Sequence, residues 1–197
     1  MNERFDELLA WYPWPEERPP YKVDVQGWFE SSTRNLLAEY LTPDVRLVVE
    51  IGSWLGQSAL YILKQLPDAK LVCIDPWLGN MHQLSERKMR QRTRESHERF
   101  LVNLWDYRDR VIPLRATSLV GLQAIRHHEL VPDVFFIDGS HATIDVKRDI
   151  LMSGALNPAA PLIGDDWQWR EVRDGVEQAN DSLGKKLRAG GKAWGLI

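Results

Sequence analysis

The sequence predicts an α/β fold: a Rossmann-like, doubly wound, mostly parallel sheet in a three-layer α/β/α sandwich, ending in an antiparallel hairpin. Three observations predict it. Five short apolar runs recur along the chain: RLVVEIG (46–52), KLVCID (70–75), RVIPL (110–114), DVFFID (133–138) and APLIGD (160–165). Helical patterns separate them, and such βαβ crossovers force parallel pairing with helices on both faces. The tail breaks this rhythm, because KKLRA and KAWGLI flank Gly190-Gly191, a two-residue hairpin signal.

Each element has its own warrant. Met1–Tyr21 starts as a short amphipathic stretch and turns proline-rich (YPWPEERPPY), which suits an irregular arm laid over the domain. Gln26–Tyr40 places Trp28, Phe29, Leu36, Leu37 and Tyr40 at helical spacing, and Thr42-Pro43 stops it. Gly56–Gln65 reads as a helix through Leu60, Tyr61 and Leu63. Ser85–Trp105 is polar and then helical, and Leu119–His127, Thr143–Ser153 and Arg170–Leu183 are further helices. The 197 residues, 44% hydrophobic, supply one core. A single domain over 1–197 is expected, with an arm and helix in 1–44 and the ligand-binding core in 45–197.

Composition excludes several classes. A net charge of −3 gives no global basic field for nucleic acid. The one basic run, Arg87–Arg94, reads as a solvated helix face. Cys73 is alone, so no internal disulfide forms, and its apolar run LVCID makes it a small core residue. The acidic N-terminus is unlike a signal peptide, and no stretch approaches a membrane span. A cytoplasmic protein with no membrane or nucleic-acid partner is expected, and a homo-oligomer is possible from its exposed tryptophans.

Ligands of open α/β sheets bind beyond the carboxyl ends of the strands. Four of the five strands end there in acids: Glu50, Asp75, Asp138, and the pair Asp165-Asp166. Crowded carboxylates call for a cation, either on a ligand or as a metal. In the first loop, E-I-G-S-W-L-G-Q-S (50–58), Gly52 and Gly56 let backbone approach a ligand before a helix. Glu50 there suits a cationic amine and not a pyrophosphate, so the loop is no G-x-G-x-x-G dinucleotide fingerprint. An NAD-dependent oxidoreductase is therefore the weaker enzyme reading, and a non-catalytic binding domain of the same fold is the other rival. Asp75 suits ribose hydroxyls or, more plainly, caps the turn before Pro76. Asp138, Asp165 and Asp166, on adjacent strand tips, offer hard oxygens suited to Mg²⁺, Mn²⁺ or Ca²⁺. The plainer alternative is a helix cap and a pairing with Arg170 or Arg173. His141, three residues after Asp138, can take a proton from a hydroxyl.

The motifs VVEIGSWLGQSALYI, LVCIDPWLGNMH, FIDGSHATIDVKRDI and LIGDDW resemble class I S-adenosylmethionine-dependent methyltransferases over roughly residues 45–197. They are most similar to the metal-dependent sugar O-methyltransferases of macrolide and aminocoumarin biosynthesis. The resemblance implies that the loop of Glu50, Gly52, Ser53, Gly56 and Ser58 holds the amino-acid end of S-adenosylmethionine. It implies Asp75 as the ribose acid, Trp77 beside the adenine and Ser118 at the adenine edge. Asp138, Asp165 and Asp166 then hold Mg²⁺ or another divalent ion, and His141 is the base. Other members carry an aspartate two residues after the first metal ligand, where this chain has Ser140. Gly79–Arg94 is expected as a basic lid over the cofactor. The implied activity is methylation of a hydroxyl on a small molecule, a sugar or another vicinal diol.

Overall fold

The computed structural model describes residues 2–79 and 84–197. Its elements, in chain order, are α1 (Asn2–Trp11), α2 (Ser31–Ala38), β1 (Leu47–Ile51), α3 (Gln57–Gln65) and β2 (Lys70–Ile74). Then come α4 (Arg87–Arg94), α5 (Ser96–Asn103), a 3₁₀ turn (Trp105–Arg110), β3 (Val111–Leu114) and α6 (Ser118–His127). The chain ends with β4 (Val134–Ile137), α7 (Thr143–Leu156), β5 (Leu162–Gly164), α8 (Arg170–Leu183), β6 (Leu187–Gly190) and β7 (Ala193–Leu196).

The strands form one seven-stranded sheet in the order β3-β2-β1-β4-β5-β7-β6. The first five pair in parallel, and β7 enters antiparallel between β5 and β6. From β1 the chain winds outward through β2 to β3, then returns to place β4 on the other side of β1. The connections leaving β1 and β4 therefore part in opposite directions, which opens a crevice at their carboxyl ends. The predicted architecture holds, and the physical reason is burial on both faces: β1, β3 and β4 are buried along their whole length.

Two hydrophobic clusters cover the two faces of the sheet. Strand alternation sends Val49 and Ile51 to one and Val48 to the other. Glu50 shares the Val48 side, under α3, whose Ala59, Ile62 and Leu63 belong to the same cluster. Among the described residues no helix is long and apolar enough to cross a membrane.

Three local expectations are corrected. The N-terminal arm is not irregular throughout: α1 buries Phe5 and Leu8 completely in the core. Its proline-rich continuation is pinned where the Trp14 indole N–H donates to the Val111 carbonyl at 2.8 Å. The helix expected over 26–40 spans only Ser31–Ala38. Gln57 explains the loss, since its side-chain oxygen accepts the Phe29 N–H at 3.1 Å and packs against Gly27, where a Cβ would meet it at 2.6 Å. The hairpin turns one residue later than read, at Gly191-Lys192, with Gly190 paired to Ala193.

β5 and β7 meet at a contact that admits no extra atom. A Cβ at Gly164 would lie 2.2 Å from the Trp194 ring. That ring is 1% exposed, and its indole N–H donates to the Asp165 carbonyl at 2.8 Å, so it cannot give way. Gly164→Ala is expected to destabilise the fold by roughly 1–3 kcal/mol, read as a lower urea midpoint.

Candidate active site

Five acidic side chains come to the crevice from four strand tips, each held differently. Glu50, on β1, is fully buried. One carboxylate oxygen accepts the Ser58 hydroxyl at 2.6 Å, from the first turn of α3. The other, Oε2, has no partner, and neither has the buried Ser53 hydroxyl. Burial pushes the Glu50 carboxyl up to about 7, against the pull of the Ser58 hydrogen bond. Cys73 lies opposite Glu50 on β2 and is itself buried, as its apolar run predicted.

The loop after β1 crosses the crevice floor. Gly52 takes φ +88, and a Cβ there would sit 2.0 Å from the Asp138 carbonyl, so only glycine lets this loop touch the β4 tip. Gly56, at φ +84, starts α3. Between them Trp54 is also left-handed, with φ 46. Asp75 holds that strained residue. It accepts the Trp54 amide at 2.9 Å on one oxygen and the Trp77 amide at 2.6 Å on the other. Trp77, at φ 51, is strained too, and its indole N–H donates to the Trp54 carbonyl at 2.7 Å. Burial raises the Asp75 carboxyl above its usual range, opposed by these amides. Asp75 is thus a clasp between two loops, with acceptor capacity left on each oxygen.

Two residues implied by resemblance make contacts within the protein. Trp77 is 3% exposed, and its ring packs against His97 and Phe100. The Ser118 hydroxyl donates to buried Asp149 on α7 at 2.6 Å, joining α6 to α7. Of the expected lid, residues 80–83 lie outside the described residues. The remainder forms α4, tied to the arm by Arg92 and Asp24 at 2.7 Å.

On the other side of the crevice, the Asp138 carboxyl is raised well above its ordinary range by burial, with Asp165, Asp166, Glu50 and Asp75 adding to the rise. Asp165 is 4% exposed and accepts both the Thr33 hydroxyl (2.7 Å) and the Asp166 amide (2.8 Å) on one oxygen. Asp166, left-handed at φ 64, turns its carboxylate to His141, with Nε2 to Oδ2 at 2.7 Å. Its other oxygen accepts the Gln168 side chain at 3.1 Å. Burial opposes ionisation of Asp166, but His141, Gln168 and Lys192 together hold its carboxyl below the usual value. The same hydrogen bond raises His141. The half-exposed Trp169 ring lies 5.0 Å from the imidazole.

The expected metal cage is therefore not assembled. Among the described residues no group of three or more His, Cys, Asp and Glu is arranged to hold a metal ion. Asp166 is committed to His141, and one Asp165 oxygen is doubly engaged. Nor do Arg170 or Arg173 take the aspartates, since Arg170 faces Asp174 and Arg173 donates to the Trp167 and Gln168 carbonyls. What the tips do build is a histidine–aspartate pair. If Nε2–H is the donor to Asp166, Nδ1 keeps its lone pair and can accept a proton. Trp54, Thr33, Gln168 and Trp169 were not singled out from sequence. Trp169, three residues beyond Asp166, was legible by spacing, whereas Thr33 lies in a helix with no motif.

A parallel sheet with this strand order, one antiparallel insertion and a ligand crevice at the β1/β4 switch defines a methyltransferase-type Rossmann-like domain. Solved structures share the fold. Precorrin 8W decarboxylase from Methanobacterium thermoautotrophicum superposes with a TM-score of 0.62 at 15% identity, over 90% of this chain and 95% of that one. Precorrin-6y C5,15-methyltransferase from Geobacter metallireducens gives 0.58 at 13%, over 87% and 80%. An O-methyltransferase from Bacillus cereus, solved with SAH, gives 0.55 at 17%, over 99% and 89%. No curated protein sequence matches the chain. Residues 49–167, more than half of its length, match a family described as a methyltransferase domain, and the chain belongs to that family.

Glu50 links this site to stability. Its carboxyl rises from 4.5 to about 7 on folding, so the stability it lends is complete below the unfolded value and lost as pH climbs through 7. Above that, an ionised carboxylate is buried with one oxygen unpartnered. Glu50→Gln is expected to stabilise the ligand-free chain at pH 8 by up to roughly 3 kcal/mol, fading towards pH 5. Urea titrations at both pH values check this.

Proposed function

We propose that the chain is an S-adenosylmethionine-dependent O-methyltransferase acting on a hydroxyl of a small molecule, a sugar or another vicinal diol. The observation that carries this reading is the His141–Asp166 pair, a base with its orienting carboxylate, at the mouth of the crevice.

The donor side fits as well. The unpartnered Glu50 Oε2 and Ser53 hydroxyl are buried polar atoms suited to an ammonium group. Gly52 leaves the backbone bare beside them, and Asp75 keeps lone pairs for ribose hydroxyls. When bound, S-adenosylmethionine supplies a methyl group on a positively charged sulfur. The Bacillus cereus O-methyltransferase of the same fold was solved with SAH.

The chain's own residues do the rest. His141 takes the proton from the acceptor hydroxyl at Nδ1, and Asp166 stabilises the imidazolium that results. Trp169 covers one side of the imidazole and limits its rotation. The carboxylates opposite favour a cationic donor and lose that attraction as positive charge leaves the sulfur. Tight ground-state binding is therefore a cost that the proton acceptor must overcome.

A second reading adds a divalent cation. The observation favouring it is the crowding of Asp138 against Asp165 and Asp166. It requires Asp166 to leave His141, and no step is assigned to the ion.

Two tests follow from these readings. Labelled methyl transfer from S-adenosylmethionine to a panel of polyols and phenols should fall about 10²–10⁴-fold in His141→Ala. Asp166→Asn should lose at least about tenfold, with S-adenosylhomocysteine affinity nearly unchanged in both; full turnover in His141→Ala removes it as the base. Calorimetry of Mg²⁺ added to chain saturated with S-adenosylhomocysteine separates the metal reading. Heat that disappears in Asp138→Ala supports it, and no heat with chelator-insensitive transfer leaves the histidine–aspartate pair on its own.

A further inference from the structure

We propose that Asn103 is a positioning residue for the loop after β1, and that through it residues 24–28 of the arm set the affinity for the methyl donor. This rests on the reading above, in which that loop holds S-adenosylmethionine. Asn103 is the last residue of α5 and is 8% exposed. Its side-chain nitrogen donates twice, to the Leu55 carbonyl at 2.8 Å and to the Asp24 carbonyl at 2.8 Å. Its oxygen accepts the Asp24 amide at 2.9 Å. Both donors of the side chain are thus used, one on the donor loop and one on the arm. A buried amide side chain needs such partners, and this one joins segments 48 and 79 residues away.

The joint lies beside the strained residue of the loop. Trp54, left-handed at φ 46, immediately precedes Leu55. Its amide is held by Asp75 and its carbonyl by the Trp77 indole, both from the loop after β2. The arm supplies a third tie. The Trp54 indole N–H donates to the Gln26 side-chain oxygen at 3.2 Å, and the Trp28 ring centroid lies 6.0 Å from that of Trp54. Gln26 is fixed in turn by Asp24, whose carboxylate accepts the Gln26 amide at 3.3 Å and the Arg92 guanidinium at 2.7 Å. Gly56 seats the loop against the end of α5, since a Cβ there would meet the Leu104 side chain at 2.3 Å. A left-handed tryptophan persists only where its surroundings over-determine it. Without Asn103 the loop and the arm part, and the loop populates conformers that do not take the donor. Apparent affinity then falls by the fraction that stays competent. Turnover at saturating donor does not fall, because His141 and Asp166 belong to the loops leaving β4 and β5.

The test combines calorimetry of S-adenosylhomocysteine, steady-state methyl transfer and hydrogen exchange on the full chain. Asn103→Ala should weaken S-adenosylhomocysteine about tenfold and raise KM for the donor by the same factor, with kcat unchanged. Gln26→Leu, at a half-buried position, should cost about threefold, and Gln26→Glu, which keeps the acceptor, should retain the affinity. In the ligand-free chain, amides of residues 53–57 should exchange faster in Asn103→Ala while those of β4 keep their protection. If Asn103→Ala does not fold, Gln26→Leu against Gln26→Glu decides the matter. Wild type that binds S-adenosylhomocysteine, with the variants binding equally well, overturns the positioning role and leaves the donor reading standing. Wild type that takes up none overturns both. A fall in kcat at constant KM marks a damaged fold and overturns the positioning role as well.

Discussion

The cost of keeping carboxylates out of water shapes the whole carboxyl edge of this sheet. Parallel strands buried on both faces leave only their tips for chemistry, and here four tips deliver five acids. Each acid is kept by a different device. Glu50 is held by Ser58 and left half-satisfied. Asp75 is satisfied by backbone amides of two loops. Asp165 takes a hydroxyl from α2 and an amide from its neighbour. Asp166 takes an imidazole. Asp138 is left among the others, and burial with its acidic neighbours pushes it well above its ordinary range. A site so provisioned is incomplete without positive charge, and a sulfonium donor brings that charge to the acids with least protein compensation.

Strain is concentrated in the same place. Among the described residues, three of the four non-glycine residues with positive φ, Trp54, Trp77 and Asp166, sit in loops leaving β1, β2 and β5. Each such residue costs on the order of 1–3 kcal/mol, and each is fixed by one of the acids. Asp75 grips the amides of both tryptophans, while the twist at Asp166 accompanies the turn of its carboxylate towards His141. The carboxylates therefore act twice. They concentrate negative charge in the crevice, and they hold the strained backbone of the loops around it. Neutralising one would loosen a loop as well as change a charge.

The fold was almost fully legible in the sequence, because two-sided burial writes itself as continuous apolar runs and βαβ spacing leaves little freedom of topology. What failed was local and had tertiary causes. Gln57, 28 residues beyond Phe29, takes the Phe29 amide and shortens α2. Phe5 and Leu8 are too few to mark a core helix until the sheet they cover is known. The site was legible as a set of acids at strand tips but not as a set of partnerships. Spacing brings Asp138, Asp165 and Asp166 to adjacent tips, yet a left-handed φ at Asp166 decides which way its carboxylate faces.

These partnerships explain why family membership and mechanism are separate questions here. The matched region, 49–167, ends at Trp167, just after the two aspartates, and so includes every acid of the crevice. It leaves out Thr33, which holds Asp165, and Trp169, which flanks His141. The shared region thus contains all five acids of the crevice, whereas Thr33 and Trp169, outside it, touch Asp165 and His141.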